Sequence, residues 1–271
     1  MTDHLLESFA DGVATLTMNR PEARNALTGE MQAALSEAID RLSYDPAVRC
    51  VVLTGAGGAF CAGGDVKGFA ADTGRGAGVG AGNGPSMEQR VAGLRRGMEV
   101  VKKIHEMPKP TLAVIPGPAA GAGFSLALAC DLRITVDTAK LTTAFSKIGL
   151  AGDYGGSYFL THLVGAAKVR ELYFTADVIN GEEALRLGIV NKSVPASELD
   201  RVAGDYARYL AGLPTVAVGY MKRNLNAAAH ATLSEVLDLE ALHMVRTMMT
   251  EDHKNASQAF VEKRSPVFAG R

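Results

Sequence analysis

Two glycine-rich segments are the first candidates for chemistry. Residues 51–65, VVLTGAGGAFCAGGD, and residues 111–131, TLAVIPGPAAGAGFSLALACD, follow one plan: a β-rich apolar run, a glycine turn, then a polar or helical stretch. Glycine lets a backbone come close to a ligand and turn its N–H groups inward. A helix start adds unpaired N–H groups and the positive end of a dipole. Either turn can therefore hold an anion, or an oxygen on which negative charge develops. The plainer account assigns these glycines to tight turns alone. Two such segments in one chain shift the balance toward function.

Nucleotide motifs fit poorly. Gly55 and Gly57 follow a strand pattern, but Phe60 stands where the dinucleotide fingerprint needs its third glycine; Leu126 does the same after Gly121 and Gly123. No Gly-Lys-Ser/Thr occurs, so there is no Walker A loop. Gly123-Phe124-Ser125-Leu126-Ala127 approximates a nucleophile elbow, with Ala127 in place of the last glycine. No His or Asp partner for Ser125 is indicated, and small residues at this density produce such a string by chance.

The elements that must carry these turns follow from periodicity. Residues 12–18 alternate as a strand. Residues 29–42 space Met31, Leu35, Ala38, Ile39 and Leu42 as a helix, with Thr28 as N-cap. Strands are expected at 48–54, 111–115, 132–136 and 189–194, and helices at about 86–105, 123–130 and, in two pieces, 166–188. The stretch 68–85, mostly Gly and small residues, is expected to be a mobile loop. After Pro195 every segment reads as helix: 197–211, 214–229, 232–250 and 252–263. The chain shows no internal sequence repeat. The reading is α/β, with residues 1–195 as the core and 196–271 as a helical region.

Composition bounds the partners. The chain has 271 residues, 47% hydrophobic and 21% charged, with 28 Lys+Arg against 29 Asp+Glu. That length buries a sizeable core without disulfide or metal. The balanced charge offers no broad surface to nucleic acid or an anionic membrane. Cys50, Cys61 and Cys130 form no CxxC pair, and the six histidines form no HExxH, so buried thiols in a reducing compartment and no metal are expected. The first residues resemble neither a signal nor a transit peptide, and a cytoplasmic location is expected. The uncharged run 110–130 is broken by Pro110, Pro116 and Pro118, which favours a buried strand, turn and helix over a membrane span.

NRPEARNALT (19–28), GAGGAFCAGGDVK (55–67), residues 108–134, FSKIGLAGDYGGSYFLTHLVG (145–165), GEEALRLGIVNKSVP (181–195) and FVEKRSPVF (260–268) resemble, in order, the enoyl-CoA hydratase/isomerase family. The resemblance implies a crotonase-like spiral of ββα units with a helical C-terminal part. It implies an acyl-CoA substrate, whose coenzyme A travels as part of the thioester, with no prosthetic group. The thioester oxygen would sit between the backbone N–H groups of Gly64 and Ala122. Two such donors would hold an enolate, each worth about 3 kcal/mol. The family usually has Gly where Ala122 stands.

By the same resemblance Arg24, Lys67 and Lys263 match cations near the CoA phosphates, and Phe260 matches an aromatic near the nucleotide. The backbone around Ala62, with Gly63 and Asp65, matches the adenine contact. The family's two hydratase glutamates fall at Ser125 and Phe145, neither of which can do a carboxylate's work. Asp153, in GLAGDYGGS, matches the lone acid of the isomerase branches and lies in the neighbourhood used by the dehalogenases; it could also simply cap the helix expected from about Gly155. The leading expectation is a shift of 3-enoyl-CoA to 2-enoyl-CoA, with Ser125 orienting substrate or a water. The alternatives are a hydratase with other residues, a thioester hydrolase, and a non-catalytic acyl-CoA-binding protein. Homotrimers, often paired into hexamers, are expected through the apolar faces of the C-terminal helices, such as Leu233, Val236, Leu237, Leu239 and Leu242.

Overall fold

The computed structural model describes residues 3–64 and 85–271. Six strands form the main sheet in the order β1 (Leu5–Ala10), β2 (Val13–Met18), β3 (Cys50–Gly55), β4 (Thr111–Ile115), β6 (Leu132–Val136) and β8 (Lys192–Val194). The β1–β2 pair is antiparallel; every other pair is parallel. A second, minor layer consists of β5 (Ala119–Ala120) beside β7 (Leu141–Thr142), extended by single bridges Leu27–Gly64, Cys61–Ala119 and Leu141–Ile179.

β2, β4 and β6 thus each feed a short minor-layer segment and then a helix, and β3 feeds the minor layer at Cys61. β2 leads through Leu27 to α1 (Gly29–Tyr44), and β4 through β5 to α4 (Ala122–Ala129). β6 leads through β7 to α5 (Gly156–Thr175). This is the expected α/β spiral of ββα units. It repeats in structure, although the sequence shows no repeat, because a one- or two-residue bridge asks little of its side chains.

Burial explains the order. Along β2, Ala14, Leu16 and Met18 are buried on one face and alternate with half-buried Val13, Thr15 and Thr17. α1 buries the five residues expected of it, and Thr28 Oγ1 caps it by accepting from Met31 N at 3.1 Å. On the sheet's other face lies α7 (Leu199–Ala211), which buries Leu199, Ala203, Ala207, Leu210 and Ala211. The apolar run 110–130 is a buried strand, turn and helix, as expected. No helix among the described residues is long and apolar enough to cross a membrane. All three cysteines are free and buried.

Some boundaries differ from the sequence reading. β1 was not expected at all. The helix anticipated over 86–105 is two helices, α2 (Met87–Gly97) and α3 (Glu99–Glu106), separated at Met98. α5 starts at Gly156, where the cap reading of Asp153 put a helix start and ten residues before the 166 that periodicity suggested, and Gly165, at φ 76° and ψ 167°, breaks its helical geometry. Next comes α6 (Gly181–Arg186); past α7, three more helices follow: α8 (Thr215–Ala228), α9 (Leu233–Met248) and α10 (Glu251–Val261). The tail returns to the body: Arg49 donates to Phe268 O at 2.7 Å and to Leu213 O at 2.6 Å.

One side chain locks the first polar turn to the first glycine segment. Asn25 is fully buried, accepts from Arg20 N at 2.8 Å, and donates to Ala56 O at 2.9 Å and Ala59 O at 2.8 Å. Asn25→Ala strands one amide and two carbonyls out of water, each worth roughly 1–3 kcal/mol. Denaturant melts of that variant should show a loss of about 3 kcal/mol; an unchanged midpoint would mean that the turn is held by something else.

Candidate active site

The two glycine segments meet. Cys61 bridges Ala119 in parallel, and Ala120 N donates to Cys61 O at 3.0 Å. Gly63, at φ +90°, sits so close that a methyl there would lie 2.8 Å from Ala120 O and 3.4 Å from Ala122 N. Gly63 N donates to Cys61 Sγ at 3.4 Å, and Gly63 O accepts from Leu27 N at 2.8 Å. Burial pushes the Cys61 thiol up to about 12, so it acts here as an uncharged packing group.

Ala122 is the first residue of α4 and is buried. Neither its N–H nor that of Gly64 is engaged in a hydrogen bond among the described residues. Two unpaired amides thus belong to neighbouring turns, one of them at the positive end of a helix. At the other end of α4, buried Arg133 donates to Cys130 O at 2.5 Å and Leu128 O at 3.4 Å, meeting its last carbonyls.

Asp153 lies on a turn that places Gly152, Tyr154 and Gly155 at φ 108°, 52° and 73°. A tyrosine at positive φ costs of order 1–3 kcal/mol, and such strain persists where the surroundings impose it. The Asp153 side chain does not cap α5: the N-cap is Gly155, with no side-chain bond. Instead, Asp153 Oδ1 is buried and has no hydrogen-bond partner. Desolvation raises the Asp153 carboxyl above its ordinary range.

Aromatic residues wall this acid. Phe145, buried at the start of a short 3-10 helix, stacks on Tyr173 with centroids 6.0 Å apart, and its ring edge approaches Gly121 and Gly152. Burial first, then the charge of Asp153, pushes the Tyr173 hydroxyl up to about 12, and the same two causes raise Tyr154. Ser125 is 2% exposed and donates to Gly121 O at 3.2 Å. That is a hydroxyl spent on its own helix, not one activated by a base.

Other expected residues are scattered. Ala62 N donates to Arg24 O at 2.9 Å, which brings the backbones of these two together, with the Arg24 side chain exposed. Phe260, on α10, is 86% exposed, and exposed Lys263 follows it; α10 packs chiefly on α9, and no contact among the described residues ties either residue to Ala62. Asp65, Lys67 and the expected mobile loop, save Pro85, fall outside the described residues. Two clefts of about 240 and 320 Å³ contain none of the expected residues. Sequence reasoning missed Tyr173, Tyr154 and Asn25. Only Asn25 carried a signal, inside the NRPEARNAL turn.

Two amides on neighbouring turns, linked through the Phe145 ring to the turn of a half-buried carboxyl with an unpartnered Oδ1, suit chemistry next to a carbonyl, where charge builds on oxygen and a proton must move. Comparison agrees. The family model described as enoyl-CoA hydratase/isomerase matches residues 8–271. The chain is 35% identical over 271 residues, 100% of both chains, to 1,2-epoxyphenylacetyl-CoA isomerase of Escherichia coli strain K12. It is 33% identical to short-chain-enoyl-CoA hydratase of Clostridium acetobutylicum, over 93% of this chain and 92% of that one. A crystal structure of an enoyl-CoA hydratase from Polaromonas sp. JS666 superposes with a TM-score of 0.88 at 33% identity, over 97% of this chain and 99% of that one. The protein belongs to the enoyl-CoA hydratase/isomerase family, with the crotonase fold, and is an acyl-CoA enzyme.

Proposed function

We propose that this enzyme moves a double bond along an acyl-CoA, from 3-enoyl to 2-enoyl. The observation that carries the reading is the half-buried Asp153 carboxyl, whose Oδ1 is buried and without a partner among the described residues and which desolvation raises above its ordinary range. The positions that the resemblance gives to the hydratase glutamates hold Ser125 and Phe145.

Asp153 takes a proton from C2 of a 3-enoyl-CoA. Negative charge spreads into a dienolate whose oxygen accepts from the N–H groups of Gly64 and Ala122. The protonated Asp153 returns the proton at C4, and the double bond comes to rest between C2 and C3. A carboxyl with a raised pKa suits both halves, being a stronger base than an exposed aspartate and still able to release its proton. The reaction is redox-neutral and needs no metal or prosthetic group; coenzyme A enters and leaves with the substrate. Arg24, Lys67 and the backbone from Ala62 to Asp65 are proposed to hold CoA. Phe260 and Lys263 belong to the same proposal by resemblance alone. The exposed side chains of Leu233, Leu237 and Leu242 on α9 support a homotrimer, or a hexamer of paired trimers.

Supplying a 3-enoyl-CoA should yield the 2-enoyl isomer. A 3-hydroxyacyl-CoA formed from a 2-enoyl-CoA would support hydration instead. Free thiol would mark a hydrolase, and tight binding without turnover a non-catalytic protein. The pH profile is a separate test. The base works only when ionised, so the acid limb of kcat/KM should lie above the usual carboxylate range. A limb at or below that range would contradict the assignment.

A further inference from the structure

We propose that the segment 264–271 is a strap that fixes the direction of α10, and that Asp252 and Arg49, which hold the strap at its two sides, are positioning residues for the nucleotide end of CoA. The inference rests on the reading that Phe260 and Lys263 touch that nucleotide.

Only Asp252 and Ala259 of α10 are buried, and the helix packs chiefly on α9. A helix with so narrow a buried face needs a further tie to hold its direction. Asp252 supplies it. The residue is 4% exposed, and its carboxylate accepts from Ala269 N at 2.6 Å and from Gly270 N at 2.9 Å. Bonds from amides to a carboxylate are roughly twice as strong as neutral ones. Asp252 N donates in turn to Arg271 O at 3.0 Å, and Asn255 Nδ2 donates to Val267 O. On the other side, Arg49, one residue ahead of β3, donates to Phe268 O at 2.7 Å. The fit there is close: a methyl on Gly270 would lie 3.2 Å from Thr215 Oγ1 and 3.3 Å from Arg49 Nε. The first turn of α10 is therefore fastened to the root of β3 through one irregular piece of chain.

The far end of α10 carries the two CoA candidates. Lys263 N donates to Phe260 O at 3.2 Å, and Arg264 N donates to Ala259 O at 3.0 Å. This is a Schellman helix end with Lys263 at its left-handed position, φ 55°. Glycine is the usual residue there, and a lysine in its place brings a side chain that the turn does not need. The turn reverses the chain and sends it back along α10 to Asp252. Phe260 and Lys263 thus stand, exposed, where helix and strap join. Phe260 lies eight residues beyond Asp252, about 12 Å along a helix axis. A tilt of about 15° at the anchored end would swing it by about 3 Å, enough to part a ring from its partner. Whichever copy of the chain holds the CoA, the direction of α10 decides whether these side chains meet it.

Two ligands separate positioning from plain stability. Butyryl-CoA has no double bond to move, and butyryl-pantetheine is the same thioester without the nucleotide. Both are titrated against the full chain. Asp252→Ala and Arg49→Met should each weaken butyryl-CoA about tenfold, the size of one lost charge-assisted contact. Butyryl-pantetheine should stay within about twofold. The double variant should bind butyryl-CoA no worse than either single one, because both substitutions cut the same strap. Hydrogen exchange gives a readout free of any ligand: in Asp252→Ala the amides of residues 251–271 should lose protection while those of β3 and β4 keep theirs. Unchanged exchange, unchanged butyryl-CoA affinity, or an equal loss on both ligands would overturn the inference. Phe260→Ala tests the underlying reading by itself. Unchanged butyryl-CoA affinity there removes the contact, and the strap's role with it; a loss there beside an unaffected Asp252→Ala removes the strap alone.

Discussion

Asp153→Asn is expected to lower the rate of double-bond migration about a thousandfold, within the range that a positioned acid–base group supplies. CoA-ester affinity should stay within about twofold, because the carboxyl serves the proton and not the thioester. The amide is nearly isosteric, and Asp153 Oδ1 has no partner to lose. Stability should move the other way. The folded-state pKa is raised, so between the unfolded and folded values the native state holds more protons than the unfolded chain. Stability therefore falls as pH rises through that window, and at neutral pH the desolvated charge still opposes folding. Asparagine carries no such charge. The variant should melt higher than wild type at neutral pH, and the difference should shrink below the usual carboxylate range. Steady-state rates and thermal melts at two pH values decide both points. A variant with full activity, or one that is less stable at neutral pH, would tell against a dry catalytic carboxyl.

Gly123→Ala should produce the second large effect, on the amide pair. A methyl at Gly123 would come within 2.3 Å of Cys61 O and 2.7 Å of Cys61 Cβ and Sγ. Carbonyl and helix backbone cannot both stay in place, so the two turns must separate. Gly63 abuts Ala122 N from the same segment, and that separation would carry the Gly64 and Ala122 donors out of register. Losing one such donor costs about 10²–10³ in kcat. We expect a drop of at least a hundredfold in a folded protein, as judged by circular dichroism. Gly93→Ala is the control: no atom lies within 4 Å of its added methyl, and activity should be unchanged. Equal activity in the two variants would remove the need for tight contact between the glycine turns.

How much of this was legible in the residues depends on distance along the chain. α1 was readable because five apolar side chains at helical spacing and a Thr28 cap agree. β1 was not read, although its hairpin signal was present: Asp11 and Gly12 both take positive φ in the tight turn to β2. Its side chains blur the alternation, with Leu6 and Phe9 about half exposed. The minor-layer bridges at Leu27–Gly64 and Cys61–Ala119 were unreadable, because single residues carry no period. Periodicity placed the start of α5 too late because glycines punctuate it at both Gly156 and Gly165; only the capping pattern at Asp153 pointed to a start near Gly155.

The site divides the same way. Asp153 could be picked out only through the family pattern around it, and its alternative role as a helix cap fell only when the N-cap proved to be Gly155. Tyr173 had no local signal. It reaches the acid only because α5 folds back along α4, and a tyrosine on a helix face looks like any core residue until that packing is known.

The most direct measurement follows one hydrogen. A 3-enoyl-CoA deuterated at C2 is turned over once in ordinary water, and the 2-enoyl product is examined by NMR and mass spectrometry. A single sheltered carboxyl that lifts and returns the same hydrogen predicts deuterium at C4 in a measurable share of the product. Product bearing only solvent hydrogen at C4 would contradict it.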